Sequence, residues 1–393
     1  MRLRQPKKFS WILFLILATM TIPADMLAMA AETALFEIVR FVQKLCALGV
    51  LLLSVRRYLE TRKLPLYVLL FGFLEIWIVV VTLIKSGPDY AYGFLLNNAL
   101  QIGALALAVY AFSDSPDTLV YTSLICFEWL IFANLLSQLI CGENGILRDM
   151  EYNDAQFFLG HKNQFIGYAY PAVFSAVLTL KKDKNTASRV NAGLTVLASY
   201  TTVFISDSSS SKAGLLLSTA LFLVLLYPKW RKILVAPFTF GFAFLCNLLL
   251  VVCRVGENVP IIAGFIEKVL HRKVTFTGRT GIWDNFLSQM PGKWLTGLGY
   301  KPGKLLTIDG RTVPHAHNQY YEFVSEGGLI ALAVFLIVLA LISLRLTRNK
   351  DSFAARTMTA IITGLMFVFI CEPIYYPVYI LYMFALNIHI FND

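Results

Sequence analysis

Long apolar runs with few charges limit the fold of this sequence more than any other feature. The clearest are Trp11 to Ala30, Pro65 to Ile84 and Leu329 to Leu344. A helix needs about 20 apolar residues to cross a hydrocarbon core about 30 Å thick. Because 57% of the residues are hydrophobic and 15% are charged, the rest of the chain does not require a soluble domain. We therefore predict an all-α, polytopic integral membrane protein with a single membrane domain over residues 1–393.

The apolar segments predict about twelve transmembrane spans. They are 10–30, 34–55, 65–84, 93–112, 118–141, 164–180, 190–205, 213–227, 233–253, 327–344, 356–372 and 374–391.

Basic residues predict the orientation of these spans. In a soluble protein, the net charge of +10 would suggest nucleic-acid binding. In a membrane protein, an excess of Lys and Arg marks the cytoplasmic loops. The basic groups fall at the N-terminus and in alternate loops: Arg2, Arg4, Lys7, Lys8; Arg56, Arg57, Arg62, Lys63; Lys181, Lys182, Lys184, Arg189; Lys229, Arg231, Lys232; Arg345, Arg348, Lys350, Arg356. We expect both termini in the cytoplasm, and no nucleic-acid partner.

The opposite side then receives one large extracytoplasmic loop, residues 254–328, between spans nine and ten. Loops of this length are usually functional or disordered, and its aromatic residues argue against disorder. Four polar groups reach this side under a topology derived without them: 160–164, 206–212, 278–283 and 314–320. Their convergence predicts a site on the extracytoplasmic face.

The residue types in these groups suit the handling of an anion beside a membrane. Arg279 can bind a phosphate through two N–H groups, whereas Lys212 and Lys162 supply compact positive charges. The serine run before Lys212 adds hydroxyls near a helix start. The imidazole of His317 can accept a proton. Together they fit a phosphate-bearing lipid and a hydroxyl acceptor.

Each residue also has a simpler interpretation. The two lysines can be snorkelling anchors, the serine run a capping turn, and Arg279 a surface charge. Glu326 lies one helical turn after Glu322, and both can cap or pair locally. The His315-Ala316-His317 spacing resembles a metal motif, but no third and fourth ligand lies nearby in the sequence, so we predict no metal site.

The blocks of the long loop carry a family resemblance. They are Gly278-Arg279-Thr280-Gly281-Ile282-Trp283, Gly297-Leu298-Gly299-Tyr300, His315-Ala316-His317-Asn318-Gln319-Tyr320 and Glu326-Gly327-Gly328-Leu329-Ile330. In this order, with His161-Lys162-Asn163 and the serine block upstream, they resemble the O-antigen ligase and polysaccharide polymerase superfamily over roughly residues 155–345. One departure is Lys212, where the family usually has Arg. Another is the Tyr320-Tyr321 pair, where the family pattern has Leu after the His-Asn block. A Lys at this position is more similar to the family members that polymerise capsule or exopolysaccharide than to the ligases.

The resemblance implies a metal-independent membrane glycosyltransferase without a cofactor, in the bacterial cytoplasmic (inner) membrane with an extracytoplasmic active site. As a polymerase it would transfer an undecaprenyl-pyrophosphate-linked glycan to a sugar hydroxyl of another lipid-linked repeat unit. As a ligase, the alternative, it would use lipid A core sugar as acceptor. A chain-length regulator and a flippase are the expected protein partners. The implied roles are pyrophosphate binding for Arg279 and Lys212, a weaker third cation at Lys162, general base or acceptor orientation for His317, and substrate contacts for His161 and Glu326.

Two other classes stay open at this stage. A transporter or flippase also fits twelve spans with both ends inside, although such proteins often contain internal repeats and ionisable residues at mid-membrane. A structural or assembly protein of the membrane is the third class.

Overall fold

The computed structural model describes residues 9–23, 34–148, 154–261, 278–301, 303, 305–306, 310–313, 315–374 and 376–392. The basic N-terminal residues, the second part of the first predicted span, residues 262–277 of the long loop and Pro314 lie outside this set.

Helices occupy the predicted spans of the first half of the chain. They are α1 (Trp11–Met20), α2 (Ala34–Thr61), α3 (Leu66–Lys85), α4 (Pro88–Phe94), α5 (Leu100–Ala111) and α6 (Pro116–Cys141), with a π-helical turn at Leu95–Ala99 joining α4 to α5. A small antiparallel sheet follows, in the order β1 (Leu147–Arg148), β2 (Ala155–Phe157) and β3 (Gly160–His161).

The second half continues the helical pattern. Its helices are α7 (Phe165–Lys182), α8 (Thr186–Ile205), α9 (Ser209–Leu225), α10 (Pro228–Ile233), α11 (Ala236–Asn247), α12 (Val255–Asn258), α13 (Arg279–Gln289), α14 (Gln319–Arg348), α15 (Phe353–Val368) and α16 (Tyr379–Leu386). A π-helical turn, Leu248–Val252, extends α11, and the hairpin β4 (Leu305–Leu306) and β5 (Thr312–Val313) lies between α13 and α14.

This architecture confirms an all-α polytopic membrane protein. Five helical segments in the described part of the chain are long and apolar enough to cross a membrane: Phe36–Thr61, Leu66–Lys85, Pro88–Ala111, Pro116–Asn144 and Gln319–Arg348. Shorter apolar helices accompany them. The outer surface is itself apolar, because α2 exposes Phe41, Leu48 and Leu52. A soluble protein rarely exposes an apolar surface of this extent, whereas a bilayer requires one.

The last predicted span, 374–391, differs from the structure in length. Its helix α16 has eight residues, which at 1.5 Å per residue is about 12 Å, well short of a bilayer core. The 3₁₀ turns Tyr376–Val378 and Ile388–Phe391 flank it, and every residue of α16 is buried. It therefore lies inside the bundle as a central packing element. The total number of spans stays a prediction.

Contacts between connecting segments group them as the charge pattern predicts. The Arg57 guanidinium pairs with Asp114, and Lys182 Nζ donates to the carbonyl oxygen of Phe391 over 2.7 Å. Arg231 pairs with Asp351 at 3.7 Å. All of these residues belong to loops or ends predicted to share the cytoplasmic side.

The opposite end of the bundle is organised by a break in α14 at Gly328, where φ is +69°. The chain around Gly297 packs into this break: Leu298 N donates to Ser325 O over 2.7 Å, and Leu329 N donates to Trp294 O over 2.8 Å. These bonds satisfy backbone groups that the interrupted helix leaves unpaired. The two glycine blocks therefore form one structural joint, which fixes the long loop against the start of α14.

Gly297 offers a test of this joint. Its φ is +79°, and an added Cβ would lie 2.6 Å from Gly328 N and 2.8 Å from Ser325 O. Gly292 has a similar φ of +75° but nothing within 4 Å of its Cβ position. Gly292→Ala should cost about 1–2 kcal/mol of backbone strain. Gly297→Ala should cost about 1–3 kcal/mol more from the steric clash. Thermal melts of the two purified variants check this, and equal melting temperatures would show that the joint tolerates the added methyl group.

Candidate functional site

Arg279 is placed by the start of α13. Gly278 precedes this helix with φ +89°, a left-handed conformation that glycine adopts without a Cβ penalty. Arg254 then ties α13 to the end of α11: its guanidinium donates to Asp284 Oδ1 over 2.8 Å and lies 5.4 Å from the centre of the Trp283 ring. The first residue of α13, Arg279, is thereby held at a defined position.

The His315-Ala316-His317 segment is fixed through the backbone of its middle residue. Ala316 N donates to Glu322 Oε2 over 2.5 Å, and Ala316 O accepts from Trp283 Nε1 over 2.9 Å. His317 has φ +50°, which is uncommon for a residue with a side chain and is seen most often where surrounding contacts hold it. The two histidines therefore project from an immobilised turn, with ring centres 4.2 Å apart.

Asn318 and Gln319 dock the segment that follows α15. The Asn318 side chain caps α14 by accepting from Tyr320 N and Tyr321 N, and its Nδ2 donates to Ile370 O over 3.2 Å. Gln319 Oε1 accepts from Ile374 N over 2.8 Å. These bonds bracket Glu372 and bring it beside His317.

The carboxylate of Glu372 joins three separate segments of the chain. Its Oε1 accepts from the Arg279 guanidinium and from Asn163 Nδ2, the latter over 2.6 Å. Its Oε2 lies 3.1 Å from His317 Nδ1. The Glu372 side chain is 3% exposed, whereas Arg279 and His317 are 21% and 22% exposed. The network is thus a buried carboxylate with a cation and an imidazole that both reach the surface.

Electrostatics keep this carboxylate charged. Burial acts to raise the pKa of Glu372, but the charge and hydrogen bond of His317 and the charge of Arg279 outweigh it and hold the pKa below its ordinary value. Burial lowers the pKa of Arg279, and the charge of Glu372 reverses that effect, so the net pKa is raised. Both groups are therefore ionised near neutral pH.

His315 differs from His317 in its surroundings. Burial, followed by the charge of His317, lowers the pKa of His315, so its imidazole is neutral near pH 7. Its Nδ1 accepts from the backbone N–H of His317 over 3.3 Å. The charge of His161 also lowers the pKa of His315, and His161 Nε2 lies 3.5 Å from Asp154 Oδ2.

The two predicted lysines lie at the same end but outside the Glu372 network. Lys162 Nζ is 3.9 Å from Asp207 Oδ2, which links the start of α7 to the start of α9. Lys212 occupies the first turn of α9 and is half-buried; its side chain has no hydrogen bond or ion pair within the described ranges. The start of α7 and the start of α9 therefore meet, and neither lysine contacts Glu372 within the described residues.

Glu326 is the remaining predicted site residue. It lies within α14, 2% exposed, about 12 Å further along the helix than Asn318 at 1.5 Å per residue. Burial, followed by the charge of Glu326, raises the pKa of Tyr300 in the Gly297–Tyr300 block. The assignment of Glu326 as a substrate contact stays a prediction.

Three side chains of the site have the spacing of metal ligands. The candidate atoms of His315, His317 and Glu372 all lie within 4.8 Å of one another. This corrects the sequence argument, which found no third ligand because Glu372 is distant in the chain. The fit to a metal is nevertheless poor, since both oxygens of Glu372 already accept from other groups and the Arg279 cation lies against Oε1.

Comparison with known proteins agrees with the sequence motifs. Residues 194–336 match the family model described as O-Antigen ligase, a little over a third of the chain. This match supports the resemblance to the O-antigen ligase superfamily that the sequence blocks carry. The matched part contains Lys212, Arg279 and His317, whereas Asn163 and Glu372 lie outside it. No curated protein matches the chain.

Sequence reasoning missed Glu372. A signal was present: no other Asp, Glu, Lys or Arg occurs between Arg356 and Asp393, and the predicted topology puts Glu372 at the extracytoplasmic end of span eleven. Intramembrane and membrane-edge charges are commonly functional. Asn163 was noted only as a member of its block, and Arg254 was not singled out.

The pKa of Glu372 gives a prediction for stability. Its folded pKa is below the ordinary value, so its stabilising contribution is present above about pH 4–5 and is lost as the pH falls through the folded pKa. Glu372→Gln leaves Arg279 without its carboxylate and should cost about 3–5 kcal/mol near neutral pH. The difference in melting temperature from the parent should shrink from about pH 5 to about pH 3.

Glu60→Gln is the matched control, since it removes a carboxylate paired with Arg56 in which the side chains are 58% and 78% exposed. It should change the melting temperature little. A Glu372→Gln difference that stays constant over the same pH range would contradict the lowered pKa.

Proposed function

We propose that this protein is a polysaccharide polymerase, acting on O-antigen, capsule or exopolysaccharide. It transfers an undecaprenyl-pyrophosphate-linked glycan to a sugar hydroxyl of another lipid-linked repeat unit. The observation that carries the proposal is the Arg279–Glu372–His317 network, which puts a cation and a proton acceptor on one carboxylate at the end of the bundle where the predicted site segments meet. The O-antigen ligase match supports the reaction class.

The reaction is a substitution at the anomeric carbon of the donor sugar. The acceptor oxygen forms the new glycosidic bond, the bond from that carbon to the pyrophosphate oxygen breaks, and the hydroxyl proton passes to His317. The leaving lipid pyrophosphate carries the electron pair away as negative charge. Preorganised cations lower the energy of such a developing charge. We assign Arg279 and Lys212 to it, with Lys162 as a weaker third.

The polymerase assignment over the ligase rests on Lys212. It keeps the positive charge of the usual Arg but lacks the planar fork, a departure that resembles polymerising members more than ligases. The ligase is the alternative, since the family model carries that description. Its acceptor would be lipid A core sugar, so the two functions differ in the acceptor alone.

The site is proposed to face outward from the bacterial cytoplasmic membrane. The basic loops that the positive-inside rule assigns to the cytoplasm lie at the other end of the bundle, for example around Lys182 and Arg231. A donor flipped across the membrane and a chain-length regulator beside the enzyme are the partners expected with this placement.

The sharpest test compares the two histidines. The purified protein in lipid nanodiscs should extend a synthetic undecaprenyl-pyrophosphate-linked repeat unit, which a transporter or scaffold would not do. His317→Ala should lower kcat by about 10²–10⁴-fold, the usual contribution of a general base. His315→Ala should lose much less, because that imidazole is the acceptor of a backbone N–H.

Donor binding should persist in His317→Ala, since the cations hold the pyrophosphate. Equal losses in the two variants, or loss of donor binding in His317→Ala, would show that His317 acts in structure or binding. Addition of lipid A core as the acceptor separates ligation from polymerisation in the same assay.

Metal dependence can be tested with the same assay. Activity should survive a strong chelator, because Arg279 and Asn163 already use Oε1 of the Glu372 carboxylate. Loss of activity on chelation, restored by a single divalent ion, would assign His315, His317 and Glu372 as metal ligands instead.

A further inference from the structure

Glu372 connects the two groups to which the proposed reaction assigns its charge and its proton. It lies outside the matched domain and outside every motif of the long loop. We propose that Glu372 is a positioning residue, which acts through His317 by fixing the nitrogen that takes the proton and by holding that ring at a set place beside Arg279. This inference rests on the proposed function, because it requires His317 to be the base.

Hydrogen bonding decides the tautomer of His317. An ionised carboxylate can only accept, and Oε2 of Glu372 lies 3.1 Å from Nδ1 of His317. The proton of the neutral imidazole is therefore on Nδ1, and Nε2 carries the lone pair. Without the carboxylate, the ring would be able to exchange tautomers, and part of the population would present an N–H where the base is needed.

The carboxylate also stabilises the product of proton transfer. When Nε2 takes the acceptor proton, the ring becomes a cation with a negative charge 3.1 Å from its other nitrogen. Since Glu372 is 3% exposed, water screens this attraction weakly. Glu372 thus favours the charged state that His317 must reach during the reaction, and does so without touching the substrate.

Arg279 and Asn163 immobilise the same carboxylate from its other side. Both donate to Oε1, while His317 uses Oε2. One rigid group therefore sets the separation between the cation that faces the leaving pyrophosphate and the imidazole that faces the acceptor. A displacement of about 1 Å at a catalytic group can cost about 10²-fold in rate.

A double-mutant cycle tests whether Glu372 acts through His317. The kcat and KM are measured for the parent, Glu372→Gln, His317→Ala and the double variant, with the synthetic donor in nanodiscs. The Gln amide can donate to Nδ1 and so favours the wrong tautomer; kcat should fall by about 10²–10⁴-fold, with KM changed much less. In the His317→Ala background, Glu372→Gln should lower kcat by no more than about threefold.

One further variant tests whether the carboxylate itself is needed, and another serves as a control. Glu372→Asp keeps the carboxylate and should recover part of the lost kcat. Glu128→Gln is the matched control: Glu128 Oε2 accepts from Asn191 Nδ2 over 2.6 Å, the same distance as from Asn163 to Glu372, but lies in α6 away from the site. It should leave kcat and KM unchanged.

The assay distinguishes failure of the positioning role of Glu372 from failure of the proposed function. A parent protein that does not extend the donor would overturn the proposed function itself. A fully active His317→Ala would instead overturn the assignment of His317 as the base, on which this inference depends. The positioning role is overturned if Glu372→Gln keeps its kcat, changes only KM, or lowers kcat by the same factor with and without His317.

If Glu372→Gln does not fold, Asn163→Ala replaces it, because that variant removes one hydrogen bond and keeps both charges. It should lower kcat modestly in the parent and not in His317→Ala, and an unchanged kcat in the parent would count against the proposal.

Discussion

A buried carboxylate shared by an arginine and a histidine is the interaction on which the rest of this end of the molecule depends. Removing a charge from water costs several kcal/mol unless partners compensate for it. Glu372 has three such partners, and each comes from a different connecting segment. A buried ion pair is weak evidence for stability in itself, since apolar residues often serve as well. The presence of this ion pair where several polar segments meet is better explained by the reactive groups that it positions.

The sequence blocks of the long loop contain residues that contact the carboxylate and residues that shape the backbone around it. Arg279 and His317 contact the carboxylate, whereas Asn318 caps α14 and fastens the segment that carries Glu372. Gly297 and Gly328 permit the close approach of the loop to the broken helix. The residues that shape the site are therefore more numerous than those that can touch a substrate. This division explains why a family pattern extends over residues with no reactive group.

Physical rules read from the sequence predicted much of this. Apolar length gave the class of protein and the approximate helices, because the bilayer thickness fixes how many apolar residues a crossing needs. The alternation of basic loops placed 160–164, 206–212, 278–283 and 314–320 together, and the described residues of these segments do lie at one end. The position of Glu372 was not readable, since its partners depend on how α14 and α15 pack. The same lack of tertiary information hid the third metal-type ligand and gave α16 the length of a full span.

The central claim is that the end of the bundle that carries Glu372 binds the pyrophosphate of a lipid-linked glycan. A structure with a non-reactive donor analogue tests it most directly. The account predicts pyrophosphate oxygens within hydrogen-bond reach of Arg279, the Lys212 ammonium nearby, and open space for an acceptor sugar beside His317. A pyrophosphate bound instead at the opposite end, where Arg231, Lys350 and Arg356 line a small cavity, would contradict it.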